Sequence, residues 1–249
     1  MRPYDIPKNR FRNFYHFFEL TSTMDECVNF IEKGIGSGIV LADSQTAGYG
    51  RGQKSWSSAD NGNVYLSFFE KIDANAEITL IPQRCAVASL LAVKPFVGEA
   101  SVRIKWPNDI LIDSKKVSGV IAKQIIFGKR RFYICGIGIN VFPPENGGEK
   151  FVWEPASISD HNKNIDTGDV VSKLVASIDS AFSLPVGEIL KIYGENVGWM
   201  VGRRLLYTQN YEENSEGEIL GFSNDFSALK IGNGPETREI SSLSILSIS

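Results

Sequence analysis

The hydrophobic positions of this chain fall largely into short runs bounded by polar and turn-forming residues, the pattern of strands. Ile110-Leu111-Ile112 and Val120-Ile121-Ala122 flank a turn over residues 113–115 and predict a β-hairpin. A third run starts at Phe132 and ends in Gly136-Ile137-Gly138-Ile139-Asn140. Small residues suit a central strand against which a ligand presses closely, and Asn140 would then sit at the mouth of a site. Ile39-Val40-Leu41-Ala42 predicts a buried strand. Val64, Leu66 and Phe68 alternate with Asn63, Tyr65 and Ser67 as in a half-buried one, with Tyr65 turned toward the site. The aromatic-rich residues 1–19 predict an edge strand or a docked arm.

Helical spacing is confined to a few segments. Met24, Cys27, Val28 and Ile31 predict an amphipathic helix starting at Thr23, with Thr23 and Glu26 as a capping box. The Ser22 and Thr23 hydroxyls there either cap the helix or bind a polar ligand end. Residues 80–97 are apolar around most of the circumference, with Pro82 near the start, which predicts a buried helix. Val170, Val171, Leu174, Val175, Ile178 and Phe182 predict another, closed by Pro185 and followed by a short helix over residues 186–193. Residues 142–164 read as a long irregular loop folding over the site, in which Trp153 is either an adenine-stacking residue or a packing anchor. After Gly198 come short alternating segments at hairpin spacing, a pattern for a small β-barrel. The expected class is α+β: a mixed β-sheet with helices packed on it over residues 1–197, and a small C-terminal β-barrel domain over residues 198–249.

With 249 residues, 43% hydrophobic and 22% charged, the chain is long enough for one large domain and one small one. A net charge of −3 argues against a nucleic-acid-binding protein, so no specific DNA binding is expected. Lys129-Arg130-Arg131 and Arg203-Arg204 read as solvated loop charges. Cys27, Cys85 and Cys135 lie in apolar surroundings, as free thiols in a reducing compartment do. With only His16 and His161 available, a histidine metal site or triad is improbable. The N-terminus has no apolar core for a signal peptide or membrane span, so no membrane partner and a cytoplasmic location are expected.

Two stretches carry chemistry. Lys105-Trp106-Pro107-Asn108-Asp109 and Lys116-Val117-Ser118-Gly119 bring a carboxylate, an amide and a lysine to the ends of the hairpin. The loop from Gln45 to Trp56 contains Gly48, Gly50 and Gly52 in alternation, whose backbone N–H groups can form an anion-binding concavity beside Arg51 and Lys54. It matches neither the dinucleotide fingerprint nor the P-loop, and taken alone it reads equally as a flexible surface loop.

Ser22-Thr23-Met24-Asp25, the Gln45–Trp56 loop, Asn63-Val64-Tyr65-Leu66-Ser67, Lys105 to Asp109, Lys116 to Gly119 and Gly136 to Asn140 together resemble, in order and spacing, the biotin–protein ligase family. The resemblance covers about the first 140 residues. It implies a catalytic fold like that of class II aminoacyl-tRNA synthetases and an SH3-like C-terminal module. It also implies an ATP-dependent ligase that makes biotinyl-5′-AMP and passes biotin to a lysine of a biotin carboxyl carrier protein, of acetyl-CoA carboxylase or another biotin-dependent carboxylase. Biotin, ATP and Mg²⁺ are the expected small molecules, and a homodimer is compatible with the family.

By the same resemblance Lys116 and Arg51 are catalytic. Ser22, Thr23, Gln45, Gly48, Arg51, Tyr65, Lys116 and Gly119 bind biotin, with Ser22 and Thr23 at its ureido group. Arg51, Lys54, Trp56, Asn108, Asp109, Lys116 and Asn140 bind ATP or the adenylate, and Asp109 holds Mg²⁺. Tyr49, Gly52 and Gln53 stand where many bacterial members are more basic, which puts retention of the adenylate in doubt more than its formation. Some members carry an N-terminal helix-turn-helix, for which the residues ahead of Thr21 are too few. A lipoate–protein ligase-like enzyme shares the chemistry, with the Lys-Trp-Pro-Asn-Asp run against it; a non-catalytic biotin-binding regulator is the third reading.

Overall fold

The structure is a computed structural model that describes residues 4–53, 55–72, 80–144, 153–208, 214–233, 236–241 and 244–248. Strand β1 (Phe14–Leu20), helix α1 (Thr23–Glu32), β2 (Ser37–Gln45), β3 (Val64–Ile72) and helix α2 (Ile81–Val93) lead into β4 (Val102–Lys105), β5 (Asp109–Ile112), β6 (Lys115–Phe127) and β7 (Arg130–Ile139). The seven strands form one sheet in the order β1-β2-β3-β7-β6-β5-β4, with only the β1–β2 pair parallel. β7 is the central strand, as its glycines predict.

Residues 113 and 114 make the β5–β6 turn with positive φ at both positions (46° and 73°), which matches the twist of a tight hairpin. The hairpin is wider than the apolar runs suggest. β6 continues through Lys123 and Gln124 to Phe127, turns at Gly128 and pairs along its length with β7. β4, which the hydrophobic pattern does not reveal, extends the far edge of the sheet.

Both faces of the sheet are covered. On one side α2 lies against the sheet and against helix α3 (Thr167–Ser183), which explains why α2 is apolar all round. It ends at Val93, and a short 3₁₀ turn with Pro95 follows. On the other side Met24, Cys27, Phe30 and Ile31 of α1 pack on Val40, Phe69, Phe132 and Ile134. β3 is therefore buried on both faces along most of its length, not half-buried, because α1 covers the face that its polar residues suggest is wet.

The capping box expected at Thr23 and Glu26 does not form. Ser22 is the cap, its Oγ accepting from the Met24 N–H at 3.2 Å, while Glu26 accepts from Asn29. Thr23 is unavailable because its own hydroxyl is engaged elsewhere. At the N-terminus both expectations hold: residues 14–20 form an edge strand, and Arg10 docks the preceding arm, its N–H on Asp179 at 2.8 Å and its guanidinium 3.0 Å from Glu70.

Of the long loop, residues 145–152 lie outside the described residues. The described part is less irregular than its composition suggests. Pro155 bridges in parallel to Lys116, with Lys116 N–H donating to the Glu154 carbonyl and Ala156 N–H to that of Lys116, each at 2.8 Å. α3 carries the expected apolar stripe and stops before Pro185, and helix α4 (Val186–Val197) follows.

Strands β8 (Arg204–Thr208), β9 (Asn214–Phe222), β10 (Leu229–Asn233), β11 (Glu236–Ile240) and β12 (Ser244–Ile248) make a second, antiparallel sheet in the order β11-β10-β9-β8-β12. Its inner residues Leu205, Tyr207, Ile219, Leu229 and Ile231 join the same apolar cluster as the α2 side of the first sheet. The two are also tied through the 105–109 turn. Trp106 Nε1 donates to the Phe226 carbonyl between β9 and β10 at 2.8 Å, while the Tyr193 hydroxyl of α4 donates to the Pro107 carbonyl at 2.9 Å. Among the described residues no helix is long and apolar enough to cross a membrane.

Candidate active site

Register builds the site. Lys105 pairs with Asp109, Asp109 with Gly119, Gly119 with Gly138, and Gly138 with Tyr65. Residues directly opposite one another share a face, so these five form one row across the sheet, on the side that α1 covers. The paired glycines leave a bare floor in its middle. Ser67 and Gly136 are opposite one another in a row two residues along.

At one end of the floor are three charges. Asp109 Oδ2 lies 2.5 Å from Lys105 Nζ, and its Oδ1 lies 2.8 Å from Lys116 Nζ. Asp109 and Lys105 are 7% and 5% exposed, so this is a buried ion cluster. Lys116 is its outermost member, with 28% of its side chain exposed. Burial by itself pushes the Asp109 carboxyl up, but the ammonium groups of Lys105 and Lys116 and their hydrogen bonds outweigh it and hold the carboxyl well below the usual range. Lys105, whose part the motif alone does not reveal, loses its hydration and lies 4.8 Å from the centroid of the Trp153 ring. Trp153 also donates from Nε1 to the Ile245 carbonyl at 3.4 Å, which makes it a packing anchor between the two sheets. Adenine stacking is not its position in this structure.

The expected Mg²⁺ role of Asp109 does not fit. A carboxylate whose two oxygens already face ammonium groups is a poor partner for a further cation, and the described residues contain no cluster of three acidic, histidine or cysteine side chains.

At the other end of the floor are uncharged polar groups. Gln45 Oε1 accepts from the Thr23 N–H at 2.8 Å and from its hydroxyl at 3.0 Å, and Thr23 Oγ lies 2.7 Å from Ser67 Oγ. Gln45 Nε2 donates to Ser58 Oγ at 2.9 Å. Gly48 is packed into this network, since a Cβ there would lie 2.5 Å from Ser58 Oγ. Ser67, part of the resembling motif, acquires its place by facing the same way as Tyr65 on alternate positions. The Tyr65 hydroxyl donates to the Ala59 carbonyl at 3.0 Å.

The glycine loop arches over the floor. Tyr49 bridges to Ser55 and Trp56 N–H donates to the Gly48 carbonyl at 2.9 Å, closing the loop on itself. The Trp56 ring then lies on the bare floor. A Cβ on Gly138 would stand 2.5 Å from Trp56 Cε2, and one on Gly119 2.8 Å from its Cζ3. What presses on the glycines of β7 is thus this indole and, at Gly136, the Met24 sulfur. Trp56 Nε1 is buried with no hydrogen-bond partner among the described residues, and Lys116 Nζ lies 5.1 Å from the ring centroid. Arg51, in a 3₁₀ turn with Gly52 at φ 64°, reaches Asn108 Oδ1 at 3.3 Å. Lys54 lies outside the described residues.

Asn140 is not at an open mouth. It is 6% exposed, and its amide donates to the Ala156 carbonyl at 3.1 Å, so it braces the end of β7 against the returning segment. Ser22 serves as the helix cap already described.

Comparison with known proteins gives this arrangement a context. A profile described as the biotin/lipoate A/B protein ligase family matches residues 17–140. The bifunctional ligase/repressor BirA of Bacillus subtilis is 39% identical over 106 residues, 41% of this chain and 32% of that protein. The human biotin–protein ligase is 31% identical over 109 residues, 41% of this chain and 15% of that protein. The matched part thus spans a third or less of these relatives. Among solved structures, the biotin protein ligase from Aquifex aeolicus in complex with biotin and ATP superposes with a TM-score of 0.74 over 94% of this chain and 99% of that one, at 23% identity. The Leishmania major enzyme in complex with biotinyl-5-AMP gives 0.62 over 95% and 99%, at 22% identity. These structures share the fold.

Proposed function

Because the chain belongs to the biotin/lipoate A/B protein ligase family, we propose that it activates biotin with ATP and transfers the biotinyl group to a lysine of a biotin carboxyl carrier domain. In the first step a carboxylate oxygen of biotin bonds to the α-phosphorus of ATP and the bond to the β-phosphate oxygen breaks, releasing pyrophosphate. In the second the acceptor's lysine amine attacks the acyl carbon, an amide forms, and AMP leaves as the amine sheds its proton.

Neither step needs a nucleophile from this chain. Both concentrate negative charge at one centre, and fixed cations are the usual means of stabilising it. Lys116 supplies the cation, held by Asp109, which Lys105 holds from behind. The Arg51 side of the loop closes over the phosphates. Mg²⁺ enters this reading as part of the nucleotide substrate, bound to its phosphates. Residues 1–197 form the biotin- and ATP-binding unit, with residues 198–249 as a second unit set against it. The reaction belongs in the cytoplasm, where the buried thiols of Cys27, Cys85 and Cys135 stay reduced.

The observation that favours biotin is the buried Thr23–Gln45–Ser67 network at the far end of the floor. A ureido group offers both donors and acceptors to such a network. The dithiolane of lipoate offers neither, so it gains nothing from polar groups that a ureido group can join. ATP–pyrophosphate exchange tests the reading. Exchange dependent on biotin and absent with lipoate is expected; exchange with lipoate alone would assign the chain to the other branch of the family, and none with either acid would leave a non-catalytic binder.

Arg51 belongs to retention more than to formation of the adenylate. It sits between Gly50 and Gly52 and meets the floor through Asn108, so it adds a tie on the phosphate side of the loop. Arg51→Gly is expected to label lysines of a bystander such as albumin well above the wild-type level when the two are compared at matched adenylation rates. Equal bystander labelling would show that Arg51 has no part in holding the intermediate.

A further inference from the structure

The glycine loop is tied down at a second point, away from the charges. Its base is fixed by backbone bonds, Thr46 N–H to the Leu20 carbonyl and Ala47 N–H to that of Thr21, each at 2.9 Å. Tyr49 then crosses from the loop to the first turn of α1. Its hydroxyl donates to Asp25 Oδ1 at 2.8 Å and accepts from Lys123 Nζ of β6 at 3.2 Å, while Lys123 also lies 5.8 Å from the ring centroid. The ring packs against the cluster containing Met24 and Cys27. Three elements that border the floor, the loop, α1 and β6, therefore meet at one phenol. Burial, and then Asp25, push its pKa up to about 12, so it remains a neutral donor throughout the physiological range.

We propose that Tyr49 is a positioning residue whose bond to Asp25 latches the glycine loop shut over the acyl-adenylate and sets the rate at which that intermediate escapes. The proposal rests on the acyl-adenylate chemistry above. None of Tyr49, Asp25 and Lys123 touches the Lys105–Asp109–Lys116 cluster among the contacts described, so the latch acts on holding and not on bond making. It complements Arg51, which ties the opposite side of the same loop to Asn108. A hydrogen bond to a carboxylate is stronger than one between neutral groups, and although Asp25 is exposed the Tyr49 ring at its other end is partly buried.

The test is Tyr49→Phe, which keeps the ring and its packing and removes the hydroxyl. Release of preformed, radiolabelled acyl-adenylate from the holoenzyme is expected to quicken roughly tenfold, equivalent to about 1.4 kcal/mol, with the rate of its formation unchanged. Asp25→Ala should do the same, and the double variant should release no faster than either single one. Amide hydrogen exchange of residues 45–56 in the ligand-free protein gives a readout that does not depend on the substrate, and it should be faster in both variants. Unchanged release, additive effects or unaltered exchange would each overturn the latch. If the wild-type protein forms no acyl-adenylate from biotin or lipoate, the functional reading fails, and the exchange data alone decide whether Tyr49 holds the loop.

Discussion

Lys116→Ala is expected to slow formation of the acyl-adenylate by about 10²–10³-fold, the usual cost of removing one fixed group that stabilises developing negative charge. Lys116 is the outermost cation of the cluster and the one with solvent access. It faces the floor from beside Gly119 and is steadied by Asp109 at 2.8 Å and by the Trp56 ring. Losing it should lower kcat for pyrophosphate exchange more than it weakens biotin binding, because in the proposed reading the neutral end of biotin lies at the Thr23–Gln45 network, away from Lys116. A variant that exchanged pyrophosphate at the wild-type rate would remove Lys116 from the mechanism.

Asp109→Asn is expected to cost stability as well as activity. It leaves two ammonium groups facing each other without a counter-charge, and breaking a buried pair in this way typically costs about 3–5 kcal/mol. The pH dependence has a definite sign. A carboxyl whose folded pKa is depressed contributes stability that is present above its unfolded value, near 3.9, and is lost as pH falls toward the folded value. The gap in urea midpoint between wild type and Asp109→Asn should thus be full at pH 7 and shrink below about pH 4. A gap independent of pH would mean that Asp109 acts through packing or hydrogen bonding and not through its charge.

Much of the site was legible because its parts are local. The 109–122 hairpin is written in two β-branched runs and a turn, and the loop in alternating glycines. The charged cluster was only half legible. Lys105 and Asp109 are four apart across a turn, a spacing that suggests no contact until β4 and β5 are seen to pair. The burial of β3 depends on α1 packing across it, which its own period-2 pattern cannot register. Ser22 and Thr23 compete for one cap, and the winner is settled by Gln45, some twenty residues away, which takes the threonine hydroxyl. Asn140 looked like a tip because it is the polar end of a strand whose last residues are small. Its partner, the segment at Pro155, returns to the sheet only after a stretch whose composition carries no strand signal.

The docking of the second sheet on the 105–109 turn affects how the molecule comes apart. Trp106 is bonded to Phe226 in the β9–β10 connection, and Trp153 links the Lys105 ammonium to Ile245 of β12. The residues that set Lys116 in place thus touch strands more than a hundred positions further along the chain, and are expected to open together with them. A separable element in the order of the sequence need not be a separable element in free energy. Loosening β10 or β12 should then also open the 105–109 turn, so heat or denaturant is expected to abolish the proposed adenylation at the same step that frays the C-terminal sheet.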